Sequence, residues 1–159
     1  MPPLLASLRS PEDLKRLPAA DLTRLAAEIR ERITAVVSRN GGHLASNLGI
    51  VELAIALHRV YDFSRDRLVL DVGHQCYAHK ILTGRNDRFE TLRQTGGISG
   101  FPNPQESEYD PFLVGHASTS VSSALGLATA FRMRGDKRKV VAVVGDGSIG
   151  GGLCFEAIN

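Results

Sequence analysis

Val140-Val-Ala-Val-Val144-Gly145-Asp146-Gly147-Ser148-Ile149-Gly150-Gly151-Gly152 decides how this chain is read. Five consecutive apolar residues, four of them Val, predict a buried parallel strand. A tight glycine turn follows, then the start of a helix. Asp146 therefore stands at the carboxyl end of a strand, beside a helix N-terminus. Backbone N–H groups and the helix dipole make such a place attractive to anions. A bare carboxylate there repels phosphate, and a magnesium ion between the two removes the conflict, because Mg²⁺ takes one or two carboxylates together with phosphate oxygens. The motif predicts a metal-bound diphosphate with Asp146 as metal ligand. The same residues satisfy the dinucleotide pattern G-x-G-x-x-G, but that pattern expects an acidic residue about 20 positions further on and has no use for an Asp inside the turn. An ordinary strand-to-helix turn with Asp as N-cap is the plain alternative. It does not call for the four further glycines that follow Asp146.

Composition narrows the class. At 159 residues the chain is one domain by the length prior, and 43% hydrophobic with 23% charged residues is globular. A net charge of +2 carries no signature of a nucleic-acid or membrane partner. No apolar run is long enough to span a bilayer. Met1-Pro-Pro-Leu-Leu-Ala-Ser-Leu-Arg9 lacks the basic start and long apolar core of a signal peptide. Cys76 and Cys154 are too few for a disulfide framework, so reduced thiols in the cytoplasm are expected. The final residues, Leu153-Cys-Phe-Glu-Ala-Ile-Asn159, read as helix without a Gly or Pro stop signal, which predicts that the chain is part of a longer domain.

Ser10-Pro11-Glu12-Asp13 has the order of a helix start. A longer helix is predicted from Asp21 to Arg39, with Leu22, Leu25, Ala26, Ile29, Ile33, Val36 and Val37 on one face and Asn40-Gly41-Gly42 as its stop. A third helix follows the polar segment from His43 to Asn47, with Ile50, Leu53, Ala54, Leu57, Val60 and Tyr61 expected inside. Arg67-Leu-Val-Leu-Asp71 is a short strand. Helical segments are expected through Lys80-Ile81-Leu82, from Asp87 to Arg93 and from Ser118 to Arg134. Between Gln94 and Gly115 the chain is rich in Gly, Pro, Ser and acids and has no periodicity, as functional or mobile segments do. Alternation of helices and strands predicts an α/β fold, a parallel sheet flanked by helices.

Ligands of open α/β sheets bind beyond the carboxyl ends of strands. Gly73-His74-Gln75 and Gly145-Asp146-Gly147 are turns at such ends, and Gly115-His116-Ala117-Ser118 opens a helix with backbone N–H groups and an imidazole. His43 stands in another turn before a helix. Imidazoles in such turns can bond phosphate or substrate oxygens and move protons near neutral pH. His58 is expected on a helix face without a role, and His79 as a packing or capping residue. The spacing in His74-Gln-Cys76-Tyr-Ala-His79 offers no second cluster to complete a zinc site.

Taken in order, seven blocks resemble the N-terminal part of 1-deoxy-D-xylulose 5-phosphate synthase. They are Gly42-His43-Leu-Ala-Ser46-Asn-Leu-Gly49, Asp71-Val-Gly-His74-Gln, His79-Lys-Ile-Leu-Thr-Gly84-Arg85, Gly97-Ile-Ser-Gly-Phe101, Glu106-Ser-Glu-Tyr-Asp110, Gly115-His116-Ala-Ser-Thr-Ser120 and Gly145-Asp146-Gly147. Transketolase is similar in the Gly-Asp-Gly turn, but the Gly-Ile-Ser-Gly-Phe and Glu-Ser-Glu-Tyr-Asp segments resemble the synthase. The resemblance implies an incomplete thiamine diphosphate-binding, transketolase-like domain over residues 1–159, with the pyrimidine-binding and C-terminal domains absent. It implies a transferase of isoprenoid-precursor synthesis that joins pyruvate and glyceraldehyde 3-phosphate with release of CO₂, using thiamine diphosphate and Mg²⁺, as a cytoplasmic homodimer. On the matching positions, Asp146 would bind Mg²⁺, and Gly147 and Ser148 would meet the diphosphate. His74, Gly115, His116 and Ala117 would contact the cofactor, and His43 would face the substrate as the catalytic group. Ala117 departs from the Ser of many members, which removes a hydroxyl and keeps the backbone contact. The family's second metal-site residue and its activating Glu lie outside these 159 residues, so the isolated chain is expected to be inactive. One piece of a split transketolase-like enzyme, or a non-catalytic remnant that binds a diphosphate or a partner, are the other expectations.

Overall fold

The computed structural model describes residues 2–159. It is a helical protein with a small parallel sheet. The chain forms two compact units, one built from residues up to Asp62 together with Gln75–Gly100, the other from Phe63–His74 and Phe101–Asn159.

The first unit is helical. Helix α1 (Pro11–Arg16) starts with Pro at its first position. The Asp13 carboxylate accepts from the backbone N–H groups of Arg9 (3.0 Å) and Ser10 (3.2 Å), which satisfies donors that a helix start leaves open. Helix α2 (Leu22–Asn40) buries Leu25, Ala26, Ile29, Ile33, Val36 and Val37, the face its periodicity predicts. It ends at Gly41, with φ 75° and an N–H donated to the Val37 carbonyl at 2.9 Å. Each aliphatic side chain buried along this face contributes about 1.5–3 kcal/mol.

The polar segment expected before the third helix is itself helical, α3 (Leu44–Gly49), and the third helix is α4 (Val51–Val60). The buried face of α4 also differs from the expected one: Val51, Ala54, Ile55 and His58 point inward, while Val60 is 74% exposed and Leu53 48% exposed. A histidine turns the helix. His58 Nε2 and His79 Nδ1 lie 2.9 Å apart with their rings stacked, centroids at 5.1 Å, and both residues are buried. Counting His58 as polar, and so outside the core, put the predicted stripe out of phase by one residue. His79 sits in α5 (Tyr77–Lys80), which runs into a wide turn over Ile81–Arg85 and a 3-10 helix over Asn86–Thr91. Tyr77, Ile81, Leu82, Phe89 and Leu92 complete this core. On its outside, Glu90 pairs with Arg32 and Arg39, contacts that contribute little in water.

The second unit holds the sheet. Strand β1 (Arg67–Leu70) pairs in parallel with β2 (Val140–Val143), Arg67 opposite Val140 and Leu70 opposite Val143. The N–H of Asp71 continues the ladder to the Val143 carbonyl at 2.8 Å. A parallel pair needs a long crossover, and α6 (Ser120–Met133) packs on both strands within it. Leu68, Val69 and Leu70 are buried as a parallel strand requires, but Val140–Val143 are half-buried, short of the full burial predicted for the Val run. Among the described residues β2 has β1 as its one strand neighbour. Two short helices follow, α7 (Asp146–Ile149) and α8 (Gly152–Ile158). The segment of residues 101–110, which has no periodicity, is made of turns: the buried Asp110 carboxylate accepts the Asn103 N–H at 2.8 Å, and the Asp110 N–H goes to the Ser107 carbonyl at 3.1 Å. Among the described residues no helix is long and apolar enough to cross a membrane.

The buried histidine pair has a consequence for acid stability. Burial first, then His79, Lys15 and Arg85, push His58 down to about 2. The unfolded chain gains a proton on His58 near its ordinary value and the folded chain does not. The stability this residue contributes is full above about pH 6.5 and is lost progressively as pH falls from there toward about 2. Denaturant unfolding followed by circular dichroism from pH 7 to pH 5 is expected to show an uptake of protons on unfolding that is smaller by about one in His58→Gln. An equally steep pH dependence in the variant contradicts this assignment.

Candidate functional site

The site is built at the carboxyl end of the sheet in the second unit. Strand β1 ends in Asp71 and turns sharply, with Val72 at φ 59° and Gly73 at φ 83°. Gly73 donates its N–H back to the Asp71 carbonyl at 2.6 Å. No side chain fits at Gly73: a Cβ there would lie 2.3 Å from Val114 Cγ2 and 2.7 Å from Pro102 Cδ. The turn therefore packs its backbone against residues 102 and 114 and carries His74, half-buried, at the end of the strand.

Strand β2 ends in the second turn. Gly145 is the N-cap of α7, and Asp146 is its first residue, exposed to solvent. Ser148 and Ile149 donate their N–H groups to the Gly145 carbonyl at 3.0 and 3.1 Å. A Cβ built on Gly145, Gly147 or Gly115 would meet nothing within 4 Å, so open space lies over these backbones. These backbones face solvent, so a ligand could approach the main chain there.

The third turn, Gly115-His116-Ala117, is exposed and precedes α6. It borders a cavity of about 480 Å³ lined by Phe112, Leu113, Val114, Gly115, His116, Thr119 and Ser123. Its apolar wall beside an imidazole and main chain suits a flat, partly apolar ligand.

What joins the three turns is a residue to which the sequence reading assigned no role. Asp71 is buried, and its carboxylate accepts the N–H of Ser118 at 2.9 Å on one oxygen and the N–H of Ser120 at 3.0 Å on the other. Burial on its own would raise this carboxyl. The two backbone donors, helped by the Ser148 and Ser120 hydroxyls, outweigh it and hold the carboxyl below its ordinary range. Ser118 adopts the left-handed conformation, φ 70°, which a non-glycine residue keeps only under constraint. Its hydroxyl donates to the Ser148 carbonyl at 2.7 Å, and its own carbonyl receives the Cys154 thiol at 3.5 Å. Gly151 clears the room: a Cβ there would lie 2.0 Å from Ser118 Oγ.

His74, Gly115, His116, Ala117, Asp146, Gly147 and Ser148 all belong to the sheet-bearing unit, on its three turns. His43 belongs to the helical unit, exposed, as the N-cap of α3. Its backbone is fixed there: Asn47 donates from its amide to the His43 carbonyl at 2.6 Å and accepts the Tyr77 N–H at 2.8 Å. The N–H groups predicted to be offered by the Gly115–Ser118 turn are partly spent, since Ser118 serves Asp71. Ser148 has its N–H and carbonyl engaged inside the unit. Among the described residues no three His, Cys, Asp or Glu side chains are grouped to hold a metal ion. The signal for Asp71 was present: an Asp closing an apolar strand before a Gly-containing turn, like Asp146.

Residues 5–159 match the model of the family described as 1-deoxy-D-xylulose-5-phosphate synthase. Among relatives of that name, the protein of Leptothrix cholodnii is 59% identical over 157 residues, 99% of this chain and 25% of its own. That of Geobacter metallireducens is 58% identical over 159 residues, 100% of this chain and 25% of its own. That of Syntrophotalea carbinolica is 60% identical over 156 residues, with 98% and 25% coverage. The chain spans about a quarter of the length of these curated relatives.

Two glycines separate packing from ligand space. Gly73→Ala forces a Cβ onto Val114 in a left-handed turn and is expected to cost about 1–3 kcal/mol. For a chain of this size that is a fall of about 2–4 °C in melting temperature per kcal/mol. Gly147→Ala, in open space, is expected to stay within about 0.5 kcal/mol. Thermal unfolding of the pair checks this; equal losses contradict the assignment of open space to Gly147.

Proposed function

Because the chain belongs to the 1-deoxy-D-xylulose-5-phosphate synthase family, we propose that it supplies the diphosphate-holding part of a thiamine diphosphate enzyme. That enzyme condenses pyruvate with glyceraldehyde 3-phosphate and releases CO₂, as a cytoplasmic homodimer. The observation that carries the reading is the convergence in one unit of three turns, two of them at the carboxyl ends of paired parallel strands. Ligands of open α/β sheets bind there.

Thiamine diphosphate, when bound, supplies the nucleophilic carbon and the electron sink that decarboxylation needs. The protein's part is to bind, orient and manage protons. The Asp146 carboxylate would hold Mg²⁺, whose charge would offset that of the diphosphate. Gly147 and Ser148 would hold the diphosphate, and the open space at Gly147 would let a phosphate come close to the main chain. Gly115, His116 and Ala117 present backbone and imidazole to the cofactor at the rim of the 480 Å³ cavity. His74 contributes a second imidazole. By the family resemblance His43 would be the group that exchanges a proton with a substrate oxygen; within the helical unit its backbone is held by Asn47.

Calorimetric titration of thiamine diphosphate into the chain, with and without Mg²⁺, tests the reading. Magnesium-dependent binding that Asp146→Asn abolishes is the expected result. Binding that is indifferent to Mg²⁺, or that survives Asp146→Asn, contradicts the metal-diphosphate site.

A further inference from the structure

Asp71 does no chemistry in the reading above, yet it is a buried, ionised carboxylate in the middle of the proposed site. Burying a charge costs several kcal/mol unless hydrogen bonds compensate it, so such a group points to a task. Its two oxygens are divided between the Ser118 and Ser120 N–H groups, at 2.9 and 3.0 Å. These bonds fix where the turn of residues 115–117 ends and where α6 begins. Ser118 then carries the constraint onward. Held at φ 70°, it aims its hydroxyl at the Ser148 carbonyl, 2.7 Å away, in the turn that bears Asp146. Gly151 leaves the space for that hydroxyl. A continuous path of bonds runs from the end of β1, through Ser118, to the end of β2.

We propose that Asp71 is a positioning residue that sets the spacing between the Gly115–Ala117 turn and the Asp146 turn, acting through Ser118. This rests on the proposed function, since the spacing matters for a ligand that touches both turns. Neither Asp71 nor Ser118 need touch the cofactor. Residues that orient a metal site from behind lower its affinity by about 10- to 100-fold when removed.

The experiment compares the wild-type chain with Asp71→Asn, Ser118→Ala and the double variant. Asp71→Asn keeps the shape of the side chain and one acceptor oxygen. Ser118→Ala removes only the bridging hydroxyl, so it remains informative if Asp71→Asn unfolds. Affinity for thiamine diphosphate with Mg²⁺ is expected to fall about 10- to 100-fold in Asp71→Asn and about tenfold in Ser118→Ala. The double variant is expected to be no worse than Asp71→Asn, because both act on one path. Additive losses would assign the two residues independent structural roles and overturn the proposal, as would unchanged affinity in either single variant. Amide nuclear magnetic resonance of the ligand-free chains gives a second, cofactor-independent readout. Signals of residues 146–149 are expected to move in Asp71→Asn and in Ser118→Ala; if only residues 118–120 respond, the path does not exist. Failure of the wild-type chain to bind would strike the metal-diphosphate reading alone, and the amide signals would still decide the role of Asp71.

Discussion

A carboxylate that closes a strand holds this site together. Asp71 ends β1 and receives two backbone N–H groups from the start of α6. Carboxylate acceptors make such bonds about twice as strong as neutral ones. They also oblige Ser118 to keep a left-handed backbone that most residues avoid. With that turn fixed, the Ser118 hydroxyl can bond the turn after β2, and the Cys154 thiol of α8 can close on the Ser118 carbonyl. Three loops that would otherwise wander are tied to the end of a two-stranded sheet.

Two aspartates stand at the ends of two neighbouring strands and meet opposite fates. Asp71 is buried and saturated with donors from its own chain. Asp146 is exposed, beside backbones with open space above them. Saturation makes the first an anchor; exposure leaves the second's charge available to a cation. The electrostatic problem at a phosphate site is that the helix end attracts an anion where a carboxylate repels it. A divalent ion would resolve it, and of the two acids the exposed Asp146 has its charge free of the backbone donors that saturate Asp71.

Much of this was legible in the sequence because its signals are local. The face of α2 follows from its period, the stop at Gly41 from its conformation, and the parallel pairing of β1 with β2 from apolar runs separated by a helix. The three turns were legible as glycines beside histidine or aspartate, two of them at strand ends and one before a helix. What escaped depends on partners distant in the chain. His58 turned α4 by one residue because His79, in another helix, makes a polar side chain acceptable in the core. The split between α3 and α4 at Ile50 follows Gly49, a local signal that the polar character of residues 43–47 masked. The role of Asp71 depends on Ser118 and Ser120, nearly fifty residues later. The half-burial of β2 escaped for a similar reason: a Val-rich run reports a preference for the interior, and its actual cover is set by which strands lie beside it.

Paramagnetic broadening by Mn²⁺, substituted for Mg²⁺ in the presence of thiamine diphosphate, tests most directly whether the three turns form one metal-diphosphate site. Amide signals of residues 145–148 are predicted to broaden first, those of residues 115–117 with them, and neither set without the cofactor. Broadening scattered over surface carboxylates such as Glu52 and Glu90, with the turns untouched, would contradict it.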